Sequence, residues 1–216
     1  MDKNKTKGFH YNKEIKQNKN FMYGDLRRSN CYGTDFTGSN FNFSSFRGAH
    51  FKGCNFFSCT FNGTEFIGTN FKKSKFRRAI FENSVFEGVN LSDVDFRDAK
   101  FKNVIFVGCD LSAAKNLEYS ESEVRIFDEI PTLEISKELE EAILKAMKNE
   151  KVKASRVLDT KDGSINPISV MILLERFSEK NLISGLNILS DRLDRDFCTL
   201  SYVIKTIETY GKEGIL

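Results

Sequence analysis

A strict five-residue period in large apolar side chains runs through the middle of the chain. Every fifth residue from Phe21 to Leu111 is apolar, and these 19 centres are 15 Phe, 3 Leu and 1 Cys. Two residues before a centre the side chain is small, as at Ala49, and two residues after a centre Gly dominates, as at Gly48 and Gly68. This period matches neither an α-helix, which repeats every ~3.6 residues, nor a strand, which repeats about every second residue.

A square coil gives every fifth residue the same surroundings. Each side of the coil is one pentapeptide, each corner is a turn, and the large and the small side chains point to the axis while the other positions face solvent. Gly, Asn and Asp at the corners tolerate the positive φ that a type II turn demands. The predicted structural core is Phe36, Phe41, Phe46, Phe51, Phe56, Phe61, Phe66, Phe71, Phe76, Phe81, Phe86, Phe96, Phe101 and Phe106.

The tandem pattern resembles the pentapeptide-repeat family. Its unit is a small residue, a polar residue, Phe or Leu and two further residues, as in 49–53 and 69–73. The resemblance implies a mainly β fold, a right-handed quadrilateral parallel β-helix with four pentapeptides in each coil. Residues 21–117 would then form about five coils, each stabilised by stacking on its neighbours.

The segments on either side of the repeat differ from it in composition. Residues 1–20 carry six Lys against two acids, and we expect a basic N-terminal tail or a cover for the first coil. Residues 118–216 are rich in Leu, Ile and Glu and predict a small C-terminal α-helical domain. Ser136 and Asn166 are predicted N-caps. Helices are expected near 136–149, 167–180, 182–189 and 191–210.

No pattern in the chain indicates catalysis, a metal site or a cofactor. His50 occupies an outward position and His10 lies in the basic tail. Cys54 and Cys59 occupy the small inward position, where free Cys packs as a small hydrophobe. We therefore expect no catalytic residue, no metal ligand and no cofactor, and we expect that the protein is not an enzyme.

The sequence carries no signal for export or for a membrane. The longest apolar run, Val170 to Leu174, is far shorter than the ~20 residues of a membrane span. The Lys- and Asn-rich start lacks the apolar region of a secretory signal. The five Cys include no C-x-x-C pair, which argues against a disulfide framework. We expect a cytoplasmic protein without a membrane partner.

Positive charge concentrates in the middle of the repeat. Residues 21–117 carry 13 bases and 9 acids, whereas residues 118–216 carry 14 bases and 19 acids. Residues twenty apart share a column in a four-sided coil. The predicted anion- or partner-binding patch is Lys52, Lys72, Lys73, Lys75, Arg77, Arg78 and Arg97. Solvated surface charge is the alternative explanation. Phe43 and Phe57 are predicted exposed aromatic residues and candidate contacts.

These features predict a non-enzymatic protein that presents a rigid β-helical surface to a macromolecule. We expect a protein partner, with nucleic acid as an alternative, and the helical domain is a candidate for homodimer contacts, which are common in the family.

The resemblance also implies a second function, because some members mimic duplex DNA and modulate DNA gyrase or topoisomerase IV. Mimicry needs columns of acids, and the mixed column of Asp35, Asn55, Lys75 and Asp95 disfavours it. An enzymatic or ligand-binding helical domain is a third alternative.

Overall fold

A computed structural model describes residues 8–216 of the chain. These residues form two compact units, and the division falls between Glu129 and Ile130. The first unit is a parallel β-helix of about six turns, and the second consists of helices. Each turn of the β-helix contains twenty residues, because its strands pair in parallel at that offset: Phe61 lies beside Phe81. The predicted mainly β fold with a helical C-terminal region is confirmed.

Short strands on four faces build the β-helix. We number the faces 1 to 4 by the centres of one turn, which are Phe51, Phe56, Phe61 and Phe66. The strands are β1 (His10–Asn12), β2 (Asn30–Tyr32), β3 (His50–Lys52), β4 (Thr60–Asn62), β5 (Glu65–Ile67), β6 (Ile80–Glu82), β7 (Val85–Glu87), β8 (Lys100–Lys102), β9 (Val104–Val107) and β10 (Val124–Phe127). β1, β2 and β3 pair on face 1, β4, β6 and β8 on face 3, and β5, β7, β9 and β10 on face 4. Isolated parallel bridges join the turns on face 2.

Columns of stacked rings fill the axis. On face 2 the ring centroids of Phe36, Phe56, Phe76 and Phe96 are 5.2, 4.7 and 5.4 Å apart, and neighbouring rings are stacked nearly parallel. Rings on adjacent faces meet edge-on, as do Phe71 and Phe76 at 4.9 Å and 88°. Both arrangements are favourable for aromatic pairs. All the predicted core Phe side chains are buried, and the most accessible of them exposes 9%.

The small inward residue is often Ser or Thr because its hydroxyl pairs with a backbone carbonyl of the preceding turn. Ser74 Oγ donates to Phe51 O at 2.5 Å, and Thr64 Oγ1 donates to Phe41 O at 2.9 Å. A buried polar group without a partner would cost about 1–3 kcal/mol. The hydroxyls therefore join consecutive turns without leaving an unsatisfied group in the apolar core.

The β-helix begins earlier than the sequence predicts. Residues 8–20, expected to be a tail or a cover, form its first turn: β1 pairs with β2, and Lys16 N donates to Asp35 O at 2.7 Å. Lys16 stands at a centre, where its ammonium pairs with Glu14 at 2.8 Å and lies 4.3 Å from the ring centroid of Tyr11. Such polar residues end the apolar core, as terminal repeats of a solenoid do. The first seven residues of the predicted tail lie outside the described residues.

The β-helix also ends later than the predicted boundary at residue 117. β10 pairs with β9, so that Ile126 lies beside Phe106 and Val124 beside Val104. The centre that precedes β10 by two sides is the polar Asn116, which interrupts the five-residue period. Residues 118–129, expected in the helical domain, therefore belong to the β-helix unit.

Face 4 departs from the expectation that outer positions face solvent. Val85, Ile105 and Val107 occupy outer positions of this face, yet they expose only 8%, 2% and 1% of their surface. Aliphatic side chains suit a buried environment, whereas the matching positions of face 1 carry Asn, Lys and Ser.

The second unit is helical, with bounds that differ from the prediction. Its helices are α1 (Lys137–Met147), α2 (Glu150–Ser155), α3 (Pro167–Arg176), α4 (Glu179–Arg192) and α5 (Leu200–Lys212). α2 was not predicted, and it starts because the Asn149 side chain accepts from the backbone N–H groups of Lys151 and Val152. The predicted helix 182–189 is part of the longer α4, and the predicted helix 191–210 begins only at Leu200.

α1 and α4 lie side by side in the same direction. At their N-terminal ends the Ser136 hydroxyl donates to the Glu179 carboxylate. At their C-terminal ends Asn149 Nδ2 donates to Ser190 O at 3.0 Å and to Leu193 O at 3.2 Å. Leu and Ile side chains such as Ile143 are fully buried between the helices.

Candidate anion-binding site on the β-helix

The seven predicted basic residues lie on faces 1 and 2 of three consecutive turns and on the corners that end these two faces. We call Lys52, Lys72, Lys73, Lys75, Arg77, Arg78 and Arg97 the basic corner. The bridge between His50 and Asn70 places Lys52 beside Lys72, and the bridge between Lys75 and Asp95 places Arg77 beside Arg97. Stacked strands are ~4.8 Å apart, so the basic side chains stand in short columns on three consecutive turns.

Two of these residues occupy corners of the coil. Lys73 and Arg78 have φ of 64° and 56°, the left-handed conformation that Gly53 adopts one turn before Lys73. Arg77 is partly buried, with 41% of its side chain exposed, and the other six members of the basic corner are exposed.

Most of the charge in the basic corner has no acidic partner. Arg77 Nε donates to Asp95 Oδ2 at 2.5 Å. The nearby Asp93 pairs with Lys115 at 2.6 Å instead. Throughout residues 8–216, no ion pair joins an acid to Lys52, Lys72, Lys73, Lys75, Arg78 or Arg97. Six of the seven bases therefore have no ion-pair partner among the described residues, although Asp93 also attracts Lys72 and Lys73 electrostatically.

Asp95 holds Arg77 in one orientation. The Asp95 carboxylate also accepts from Asn116 Nδ2 at 2.8 Å and from Arg97 N at 3.1 Å, and the residue is 8% exposed. Burial acts to raise the pKa of this carboxyl, but the hydrogen bonds from Asn116, Arg77 and Arg97 outweigh it and keep the pKa below its ordinary value. Asp95 is thus ionised at neutral pH, and its hydrogen bond with Arg77 Nε holds the guanidinium in place. Sequence reasoning treated Asp95 only as a member of a mixed column and did not find this role.

In the neighbouring turns, the side chain at the position of Lys75 accepts a hydrogen bond from the backbone N–H two residues later. One turn earlier Asn55 Oδ1 accepts from Phe57 N at 3.3 Å, and one turn later Asp95 Oδ1 accepts from Arg97 N at 3.1 Å. Lysine has no acceptor atom, so it cannot cap the N–H of Arg77 in the same way. Within the part of the chain that the structure describes, Arg77 N–H has no hydrogen-bond acceptor. Arg77 N–H is therefore a backbone donor without an acceptor in the described structure, in a segment with two cationic residues, Lys75 and Arg77.

The two outward aromatic residues are partly buried. The ring of Phe57 lies 5.8 Å from the Arg78 guanidinium, a cation–π contact at the margin of the basic corner. The ring of Phe43 stacks on Tyr23 at 5.2 Å, on a different edge of the β-helix.

Other residues with reactive side chains are placed for packing. Cys54 and Cys59 are fully buried, and burial raises the pKa of each thiol to about 12. His10 and His50 are exposed on face 1. Among residues 8–216 no group of three or more His, Cys, Asp or Glu is arranged to hold a metal ion. No helix in this part of the chain is both long and apolar enough to cross a membrane.

The first unit is a parallel β-helix in which each side is one pentapeptide, and this architecture defines its structural class. Residues 20–53, 54–93 and 79–115 match the family model described as pentapeptide repeats, in eight copies. This segment of the chain belongs to the pentapeptide-repeat family.

Two of three similar solved structures, those from Arabidopsis and Nostoc, are described as pentapeptide-repeat proteins. QnrB1, a plasmid-mediated fluoroquinolone resistance protein, is 14% identical over 51% of this chain and 71% of its own, with a TM-score of 0.39. A protein from the Arabidopsis thaliana thylakoid lumen is 21% identical over 46% of this chain and 69% of its own, with a TM-score of 0.29. HetL, involved in heterocyst differentiation regulation in Nostoc sp. strain PCC 7120, is 17% identical over 49% of this chain and 55% of its own, with a TM-score of 0.26. No curated protein matches this sequence.

Proposed function

We propose that this chain is a non-enzymatic binding protein whose β-helix presents the basic corner to an anionic macromolecule. The observation that carries the proposal is the set of six basic side chains without ion pairs to any described residue on faces 1 and 2 and their corners. Asp93, Asp95 and Asp98 lie one turn after Lys73, Lys75 and Arg78, so the seven bases leave a local excess of positive charge. A sustained excess of one sign raises the local concentration of oppositely charged partners and speeds their association.

The core supports this role because it keeps the outer side chains in place. Each turn is joined to the next by backbone hydrogen bonds such as Phe76 N to Asp95 O at 2.8 Å. The rings beneath the basic corner, Phe76 and Phe96, stack at 5.4 Å and are buried. A surface that is already ordered loses little conformational entropy on binding.

The placement of the cysteines and histidines supports a role without catalysis. A nucleophilic Cys requires a lowered pKa and access to solvent, whereas Cys54 and Cys59 are buried with pKa values of about 12. DNA mimicry receives no support from the charges, because no column of the described turns carries more than two acids in succession.

Chromatography on immobilised heparin, a polyanion, tests the proposal. We expect the chain to be retained and to elute at a lower salt concentration after Lys72→Glu with Lys75→Glu. Arg28→Glu with Lys102→Glu is the matched control, since these exposed bases lie outside the basic corner and change the net charge equally. Equal shifts for the two double variants would show that net charge alone governs retention, and the proposal would then be wrong.

A further inference from the structure

The basic corner lacks the features of a protein-binding surface. Protein interfaces have an apolar centre with aromatic or aliphatic anchors, and Lys is depleted there. Four of the seven residues of the basic corner are Lys. The nearest aromatic side chain, Phe57, is partly buried and lies under Arg78 at the margin. Contact with a phosphate backbone, in contrast, needs cations and backbone N–H groups and no apolar anchor.

The same composition argues against single-stranded nucleic acid. Proteins that bind single strands stack the bases on several aromatic side chains. The outer positions beside Lys72 and Lys75 hold Asn55, Asn70 and Ser92. A duplex keeps its bases stacked inside and offers its phosphates outward, so it needs no aromatic platform.

Lys75 and Arg77 are the candidate contacts for one phosphate group. The Arg77 N–H has no hydrogen-bond acceptor among the described residues, Lys75 stands two residues before Arg77, and Asp95 Oδ2 accepts from Arg77 Nε at 2.5 Å. The terminal nitrogens of a guanidinium held in this way are oriented to bind an oxyanion through two hydrogen bonds. A backbone N–H between two cations adds a third type of donor, as in other phosphate sites.

The remaining bases extend this site over several phosphates. Phosphates along one strand of a duplex follow each other at roughly twice the rise of 3.4 Å per base pair. Consecutive turns of the coil are ~4.8 Å apart, and Arg97 lies beside Arg77 on the next turn. Lys72, Lys73 and Arg97 lie on adjacent positions and turns, so a phosphate backbone that crosses the corner meets several cations in succession.

We propose that the basic corner binds the phosphate backbone of duplex nucleic acid without reading its sequence, and that Lys75 and Arg77 form its central phosphate site. This inference rests on the proposed function, because it names the anionic partner of the same surface.

Fluorescence anisotropy with the full chain and a labelled duplex DNA of arbitrary sequence tests the inference. With about four phosphates neutralised, affinity should fall roughly 100-fold between about 50 and 200 mM salt. A second duplex of unrelated sequence should bind with the same affinity. A single strand of the same length should bind more weakly.

Lys75→Asn is the decisive variant. Asn stands at the same position in the preceding turn, as Asn55, and it would cap the Arg77 N–H while it removes the cation, so the fold is preserved. We expect weaker duplex binding and a salt slope that is smaller by about one phosphate. Lys102→Asn removes the same charge outside the basic corner and should leave both quantities unchanged. Equal behaviour of the two variants would overturn the phosphate site.

The outcomes also separate this inference from the proposed function. If the chain binds heparin through the basic corner but polyglutamate displaces it as well as duplex DNA does, the partner is an acidic protein and only the nucleic-acid inference is overturned. If the basic corner does not affect heparin retention, both proposals are overturned. Duplex binding that is lost in Lys75→Asn and kept in Lys102→Asn would support both.

Discussion

The side chain of Ile207 in α5 fills the space that a Cβ on Gly185 in α4 would need. An ideal Cβ at Gly185 would lie 2.8 Å from Ile207 Cγ2 and 3.0 Å from Ile207 Cγ1. Ile207 is fully buried, and its β-branched side chain has few alternative rotamers. The close approach of α4 and α5 therefore depends on a residue without a side chain, although Gly in a helix interior costs about 1 kcal/mol relative to Ala.

Gly185→Ala should destabilise the helical unit by roughly 1–3 kcal/mol, because the overlap with Ile207 outweighs the gain in helix propensity. Gly211→Ala is the control in α5, where the added Cβ would meet only Leu216 Cδ1 at 3.7 Å. It should be neutral or stabilising by up to about 1 kcal/mol. Urea unfolding followed by helical circular dichroism measures both, and equal stability of the two variants would contradict the packing described.

Asn149→Ala should destabilise the same unit by about 1–3 kcal/mol, since the side chain both caps α2 and pairs with the last carbonyls of α4. Asn181→Ala, at an exposed position inside α4, should change the free energy of unfolding by less than about 0.5 kcal/mol. The two urea midpoints provide the comparison. If Asn181→Ala lowered the free energy of unfolding as much as Asn149→Ala, the hydrogen bond from Asn149 to Ser190 would not explain the destabilisation.

Phe61→Ala should lower the stability of the β-helix by roughly 3–5 kcal/mol, because the ring is fully buried and its centroid lies 5.3 Å from that of Phe41 and 4.9 Å from that of Phe81. Phe57→Ala removes an equal volume from the outside and should cost about 1 kcal/mol. Chemical denaturation followed by β-sheet circular dichroism distinguishes the positions. Similar costs would place Phe61 outside the core.

Asp95→Asn should destabilise the β-helix at neutral pH by roughly 1–2 kcal/mol through loss of the ion pair with Arg77. The pKa of Asp95 is lowered in the folded state. Its contribution is therefore complete above the unfolded pKa, near the ordinary 3.8, and disappears as the pH falls through the still lower folded pKa.

The difference in unfolding free energy between wild type and Asp95→Asn should accordingly shrink as the pH is lowered from about 6 to about 2. Asp98→Asn on the same turn is exposed and unpaired in the described structure, and it should show little difference at any of these pH values. A constant difference for Asp95→Asn would exclude the ion pair as its cause.

The five-residue period was enough to predict the inward Phe residues, because the square coil repeats the same environment at each side. It failed at the ends, where inward positions become polar. Lys16 interrupts the series between Tyr11 and Phe21, although Tyr11 itself is in register. Ile126 is again in register, twenty residues after Phe106, but the polar centre Asn116 interrupts the five-residue period before it. A search at the longer period of one full turn would have found both strands.

The basic residues of the candidate site could be placed by counting, whereas their partners could not. Counting in steps of twenty aligns Arg77 with Arg97. It does not show that Asp95 turns towards Arg77 while Asp93 turns towards Lys115, since that choice depends on rotamers at the corner. The uncapped Arg77 N–H had a signal in the sequence: Lys75 stands where Asn55 and Asp95 cap the following turn.

The four equivalent sides have a consequence for how such a chain diverges. Inserting or deleting one pentapeptide leaves every later Phe at a centre, because all four faces accept the same inward residues. All later residues nevertheless move to the next face of the coil, relative to the turns before the insertion or deletion. Lys52 would then lose its place beside Lys72 while the core stayed intact. Duplication in steps of five can therefore reshuffle the outer surface of a β-helix while the inward Phe stay in register, although it would move the buried outer residues of face 4, such as Ile105, to another face. Steps of twenty preserve both surfaces.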